Sequence, residues 1–281
     1  MEAYQIEYFC HTQYEFPVAE AVFELNVLPC QNKQQNTFQS RFKSTFKENG
    51  FLVKNAFGFD IQRFRTAGSF QEVEFRLHAL VHRDISLPAL YSDRTVEEEW
   101  KSLALDQTYF DHHLFMEQSS LTQSTIEIPK AIAQMVKNEK VLDVLIELNR
   151  WVKEVIAYEK AVTHVGSTAQ EAYDLKAGVC QDYSHVFLSI ARKMGIPSRY
   201  VSGYLNQGLP RVGNAFMHAW VECWIPGLDW IGFDPTNNLF ADGHYLKVCH
   251  GTDYTDCAPI KGVLRTNGKQ ESAYTVSVHR L

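Results

Sequence analysis

Between Gln71 and Val81 polar and apolar residues alternate one by one, with Val73, Phe75, Leu77 and Ala79 on one side. A period of two does not fit a helix. It requires a strand with one face buried and the other in water. The same pattern opens the chain, where Tyr4, Ile6, Tyr8 and Cys10 share a parity. It returns over residues 21–28, where Ala21, Phe23, Leu25 and Val27 form an apolar set against Val22, Glu24, Asn26 and Leu28. Asn49-Gly50 and Phe57-Gly58 supply turns between such runs. Residues 1–85 are therefore expected to form a β-rich domain, an antiparallel β-sandwich-like unit.

The period changes after Leu87-Pro88. Glu97-Glu98-Glu99 reads as the first turn of a helix, and Pro129 as the first residue of a short helix over 130–136. Residues 141–158 carry Leu142, Leu145, Ile146, Leu148, Asn149, Val152, Val155 and Ile156 as one helical stripe. These signals place a helical connection over 86–125 and a second domain over 126–281. Within that domain, Ser167-Thr168-Ala169-Gln170 caps a helix that ends near Lys176-Ala177-Gly178. A second helix runs from about Cys180 to Met194 and is closed by Gly195 and Pro197. Strands follow at 199–205, 217–224 and 230–233, with a closing strand over 273–278. Helices followed by antiparallel strands make this an α+β domain.

Composition removes several classes of function. In 281 residues, 27 Lys and Arg against 33 Asp and Glu leave a net charge of −6, which does not suit a nucleic-acid binder relying on a broad basic field. No run approaches the roughly 20 apolar residues that span a bilayer. The opening Met1-Glu2-Ala3-Tyr4-Gln5-Ile6-Glu7 reads as a strand and not as a secretory signal. The expectation is a cytoplasmic protein with no nucleic-acid partner and no membrane association; self-association is left open. Cys10, Cys30, Cys180, Cys223, Cys249 and Cys257 contain no C-x-x-C pair and are expected to be free thiols, mostly buried. Cys180, His185, His218 and Asp234 lack compact metal-ligand spacing, and His244 and His250 add no recognised motif. Gln270 stands where a phosphate-binding loop ending Gly268-Lys269 would need Ser or Thr. No metal and no cofactor are expected.

Three residues stand at structural junctions. Gly178 allows a tight turn before a helix that begins at Cys180, and the unpaired N–H groups of that first turn favour a thiolate there. They also favour the oxyanion formed when a thiolate attacks a carbonyl. His218 lies in a strand with Trp220 and Glu222 on the same face. Asp234 ends the next strand, close enough across an antiparallel pair to hold an imidazole. Taken singly, Cys180 reads equally well as an ordinary helix cysteine, whereas His218 reads first as a satisfied strand histidine and Asp234 as a turn former. Together they point to thiol chemistry. Gln181, Tyr183, Tyr200, Tyr204 and Trp220 are candidate oxyanion donors or groove walls, with a core role as the alternative for the aromatics. Asp182 reads first as a cap for the helix start, and Glu222 as a polar contact behind His218.

The blocks Gly178-Val179-Cys180-Gln181-Asp182, Arg199-Tyr200-Val201-Ser202-Gly203-Tyr204, His218-Ala219-Trp220-Val221-Glu222 and Trp230-Ile231-Gly232-Phe233-Asp234-Pro235-Thr236 resemble the bacterial transglutaminase-like superfamily. Its core is related to the papain fold. Gly251-Thr252-Asp253-Tyr254-Thr255-Asp256 with Pro259 and Gly262 resembles the family's usual ending, and residues 1–85 resemble the β-rich domain that often precedes it. Two departures stand out: Phe57-Gly58-Phe59-Asp60 replaces a usual Phe-Gly-Asn block, and Asn237-Asn238 replaces a frequent Asn-Gly. The resemblance implies Cys180 as nucleophile, His218 as base and acid, and Asp234 as orienting carboxylate, acting on a protein or peptide substrate. It implies hydrolysis of a peptide or carboxamide bond, with transglutaminase-type crosslinking to a primary amine as one alternative. A noncatalytic interaction module on the same fold is the other.

Overall fold

The computed structural model describes residues 1–46, 50–86, 90–206, 211–212 and 216–281; Asn49, Leu87 and Pro88 lie outside the described residues. The amino-terminal alternation becomes six strands: β1 (Glu2–Val18), β2 (Glu20–Leu25), β3 (Gln35–Ser44), β4 (Phe51–Lys54), β5 (Asp60–Thr66) and β6 (Phe70–Arg83). Tyr4, Ile6, Tyr8 and Cys10 from β1 and Val73, Phe75, Leu77 and Ala79 from β6 are all buried, as their parity requires. Two antiparallel sheets pack face to face through rings. The Phe23 and Phe75 centroids are 5.3 Å apart, and those of Phe64 and Phe75 are 5.4 Å apart.

Helices then take over in α1 (Val96–Leu103), α2 (Asp106–Met116), α3 (Lys130–Met135) and α4 (Val141–Val155). Glu98 and Thr95 form a reciprocal capping box at the start of α1, which explains the acidic triplet. Pro129 is the N-cap of α3 and not its first helical residue. Past β7 (Ala157–Tyr158), α5 (Ala169–Leu175) is capped by Thr168 with Glu171, one residue beyond the predicted box. Next come β8 (Ala177–Gly178), α6 (Cys180–Lys193), β9 (Ser198–Leu205), β10 (His218–Ile225), β11 (Asp229–Asp234), β12 (Leu239–Phe240), β13 (Tyr245–Gly251) and α7 (Tyr254–Cys257). Five of these strands form one antiparallel sheet in the order β12-β11-β10-β9-β13. Helix α6 packs on β9 and β10 and is covered by α4 and α5. Every residue from Gln181 to Arg192 is buried, so the expected apolar stripe became a helix enclosed on all sides.

The chain ends where it began. Strand β14 (Ile260–Arg265) pairs with β2, and β15 (Gln270–Arg280) pairs with β1 over Tyr4↔Arg280 to Tyr14↔Gln270. The two amino-terminal sheets thus run β15-β1-β6-β3 and β14-β2-β5-β4. The expected second domain, 126–281, thus contributes its last two strands to the amino-terminal sheets. The alternation over 273–278 is a strand, as expected, but its apolar face completes the core under β1 and not the sheet that carries His218. Buried polar links join the two parts. Gln35 donates from Nε2 to the carbonyls of Cys30 and Lys247, at 2.8 and 2.7 Å, and Tyr204 donates its hydroxyl to Val27 O at 2.6 Å.

Deleting residues 270–281 uncovers the β1 edge and removes Val276 and Val278, both buried. With about 1.5–3 kcal/mol for each buried valine, the truncated chain is expected to lose at least about 3 kcal/mol against urea. A midpoint equal to that of the full chain would show that β15 contributes nothing.

Candidate functional site

Helix α6 begins at Cys180 because the preceding residues leave room for a cap. Asp182 turns back and accepts from Val179 N–H at 2.7 Å and from Thr163 Oγ1 at 2.8 Å. Gly178 is needed for space and not for a turn. Its φ lies outside the left-handed region, and a Cβ there would sit 2.5 Å from Asp182 Oδ2. The left-handed residue is Lys176, two positions earlier, with φ 55°. Cys180 is the one cysteine of six that is not buried, and all six are free thiols.

The expected neighbours of Cys180 come together. The His218 and Asp234 side chains are both wholly buried, and His218 Nε2 lies 2.8 Å from Asp234 Oδ2. The other ring nitrogen, Nδ1, makes no conventional hydrogen bond among the described residues. Burial alone would push this imidazole down, but Asp234 and the Cys180 thiol both favour its charged form and raise it to about 10. Burial opposes the Asp234 charge too. The charge of His218 and the hydrogen bonds from His218, Asn237 and Tyr245 overrule it and hold the carboxyl below its ordinary range.

Asp234 is held by five donors. Oδ2 receives His218, Asn237 Nδ2 at 2.7 Å and the Tyr245 hydroxyl at 2.8 Å. Oδ1 receives the backbone N–H groups of Thr236 at 2.9 Å and Asn237 at 3.2 Å. Tyr245 and Asn237 were not among the expected site residues. Asn237 stood out only as part of a departure from a family pattern, and Tyr245 reaches Asp234 from β13, whose pairing with β9 has no local sequence signal. Burial and the adjacent carboxylate keep the Tyr245 phenol protonated, so it acts as a donor.

The remaining candidates divide. Trp220 lies on the His218 face with ring centroids 6.4 Å apart and nearly parallel planes. Tyr200 is buried against His185 at 5.3 Å. Gln181 spends its Nε2 on Val165 O at 3.1 Å, and Tyr183 its hydroxyl on Ile156 O at 2.5 Å. Tyr204 faces the amino-terminal sheets. Glu222 lies on the expected face but serves another cluster, accepting from Arg199 Nε at 2.6 Å and Lys247 Nζ at 2.5 Å. Burial would raise Glu222, and those two cations pull it far below the carboxylate range. Among the described residues no group of three or more His, Cys, Asp or Glu side chains is arranged to hold a metal ion.

The His218–Asp234 pair makes stability depend on pH in both directions. A raised imidazole contributes fully below its unfolded value of about 6.5, and that contribution is lost as the pH climbs through about 10. A depressed carboxyl contributes fully above about 3.9 and loses its share as the pH falls through its folded value. The melting temperature of the native chain should exceed that of Asp234→Asn by the most between those limits, with the gap narrowing on either side. A gap independent of pH would contradict the ion pair.

Comparison with known proteins follows the same lines. The sequence profile of the Transglutaminase-like superfamily matches residues 128–235, which contain Cys180, His218 and Asp234. An uncharacterized protein of Mycobacterium leprae is 26% identical over 272 residues, 95% of this chain and 95% of that protein. An uncharacterized protein of Mycobacterium tuberculosis is 32% identical over 146 residues, 49% of this chain and 46% of that protein. The crystal structure of a candidate cysteine protease from Cytophaga hutchinsonii superposes with a TM-score of 0.81 at 21% identity, covering 100% of this chain and 91% of the other. Residues 128–235 are thus similar to the Transglutaminase-like superfamily, and the whole chain, from its amino-terminal sheets to its enclosed cysteine helix, shares the fold of the Cytophaga hutchinsonii structure.

Proposed function

We propose that the chain is a cysteine-dependent acyl-transfer enzyme that hydrolyses peptide or carboxamide bonds, with Cys180 as nucleophile, His218 as base and acid, and Asp234 as orienting carboxylate. One observation carries the reading. A wholly buried imidazole is fixed through Nε2 by a fully satisfied carboxylate, while its Nδ1 is left to the only partly exposed thiol.

Proton transfer from Cys180 Sγ to His218 Nδ1 gives a thiolate beside an imidazolium. The thiolate forms a bond to the substrate carbonyl carbon, and the oxyanion faces the Cys180 N–H at the start of α6. A well-aimed donor of this kind contributes about 3–4 kcal/mol. Collapse of the tetrahedral adduct breaks the C–N bond, and Nδ1–H protonates the departing amine. The thioester is then attacked by water, which gives its proton to Nδ1. A second collapse releases the carboxylic acid and regenerates the thiolate–imidazolium pair. Asp234 remains ionised throughout and keeps the ring from turning.

Transamidation would require an amine site that excludes water. Cys180 is partly open to solvent, which supports hydrolysis. The six unpaired thiols support a reducing, cytoplasmic setting. A protein or peptide donor is the substrate class we infer from the similarity of residues 128–235 to the Transglutaminase-like superfamily.

Cys180→Ala should abolish turnover of a glutamine-containing peptide. Removing the acid and base in His218→Ala should slow it by about 10²–10⁴-fold. With a tagged primary amine present, mass spectrometry of the native enzyme's products should find free acid or cleaved peptide in excess of tagged peptide. Predominant tagging would assign crosslinking instead, and equal turnover by Cys180→Ala would remove the thiol mechanism altogether.

A further inference from the structure

Three donors converge on one oxygen of the buried carboxylate. Asp234 Oδ2 lies 2.8 Å from His218 Nε2, 2.7 Å from Asn237 Nδ2 and 2.8 Å from the Tyr245 hydroxyl. A carboxylate oxygen offers about two lone-pair positions, so Oδ2 has more donors than it can serve in full. Oδ1 already receives the Thr236 and Asn237 N–H groups at 2.9 and 3.2 Å and cannot relieve it. The negative charge that faces the imidazole is therefore shared with an amide and a phenol.

The two competitors differ. Asn237 also brackets the segment before His218, accepting from Val212 N–H at 2.9 Å and donating to Val212 O at 3.2 Å. The Tyr245 hydroxyl has Asp234 as its one hydrogen-bond partner among the described residues, and its side chain is buried. Burial and the carboxylate keep this phenol protonated, so it always donates. Two further charges stand beside it: Arg211 lies 5.1 Å over the Tyr245 ring and is paired with Asp242 at 2.9 Å. Cys180 is the other ionisable group acting on His218.

Sharing alters the ring's acidity. A donor that draws charge from Oδ2 leaves less of it to hold the imidazolium, which then gives up its proton more readily. An acid and base works best when its pKa lies near the operating pH. A buried imidazolium beside an unshared carboxylate would hold its proton too firmly to pass it to a departing amine.

We propose that Tyr245 is a positioning residue that tunes the acid strength of His218: by competing for Asp234 Oδ2 it weakens the His218–Asp234 hydrogen bond. This role deepens the thiol reading given above and rests on it for its use in catalysis. Tyr245 acts only through Asp234 and takes no part in bond making.

The test is Tyr245→Phe in the full chain, which keeps the ring and removes the hydroxyl. Proton NMR of isotope-labelled histidine at neutral pH reads the His218 Nε2–H resonance, assigned by its loss in His218→Gln. In Tyr245→Phe it should move downfield, the sign of a stronger hydrogen bond. The upper pH limit of kcat/KM for the glutamine-containing peptide should rise by about 0.5 unit or more. The resonance should not respond to Tyr245→Phe in an Asp234→Asn background, because the effect passes through the carboxylate. An unmoved or upfield resonance in the single variant, or an equal shift in the Asp234→Asn background, overturns the tuning role. A hydroxyl that only supports the fold would lower the melting temperature and leave both the resonance and the pH limit in place. A downfield shift in a chain whose native form turns over no peptide leaves the competition for Oδ2 standing and overturns the thiol reading.

Discussion

A carboxylate with no solvent and five hydrogen-bond donors is the fixed point of this structure. Asp234 can be buried in ionised form because its oxygens are satisfied by a ring, an amide, a phenol and two backbone N–H groups. Each donor comes from a different constraint. The backbone pair follows from the turn after β11, Asn237 is itself tied to Val212 N–H at 2.9 Å through Oδ1, and Tyr245 depends on the pairing of β13 with β9. Displacing any of these elements leaves a buried charge short of a partner, so the sheet order and the position of the imidazole are specified together.

Much of this was legible from sequence. Strand parity placed Tyr4, Ile6, Tyr8 and Cys10 and the apolar face of β6 in the core, because a half-buried strand leaves a signature within a few residues. The start of α6, Gly195 as its stop, and the β10 and β11 runs were readable for the same local reason. What escaped was long-range. Nothing near Tyr245 indicates that its hydroxyl meets a carboxylate eleven residues earlier in the chain. The alternation at 273–278 indicates a strand but not its partner, and the partner proved to be β1, more than 250 residues away. Gly178 shows a subtler limit. A glycine before a helix suggests backbone freedom, whereas here the space it leaves is filled by the Asp182 side chain.

The return of the chain to its first strand gives the amino-terminal sheets a structural hold on the site. Gln35 accepts from Lys247 N–H at 2.9 Å through Oε1 and donates to the Lys247 carbonyl, fixing the middle of β13 two residues from Tyr245. Asn26 donates to Cys249 Sγ at 3.1 Å on the same strand. The sandwich thus clamps the strand that steadies Asp234. Its own last strand carries Tyr274 against Phe216, with ring centroids 5.6 Å apart. A domain boundary drawn by sequence order would separate groups that the hydrogen bonds join.

Strand β10 carries two buried ionic clusters on one face, and their difference explains why one is suited to chemistry. At its far end Glu222 meets Arg199 and Lys247, and Arg199 in turn lies 3.8 Å over the Trp230 ring. In that cluster two cations compensate one anion, with Glu222 Oε2 accepting from both Arg199 and Lys247. At the near end the Asp234 anion is also complete, but its partner His218 retains one ring nitrogen without a conventional hydrogen bond among the described residues, and Cys180 is the one thiol that is not buried. An unfilled hydrogen-bonding position on a buried charged ring costs stability in the resting protein. On the proposed mechanism it is also the position through which a proton passes between sulfur, leaving group and water, so the same deficit that weakens the fold would supply the acid and base.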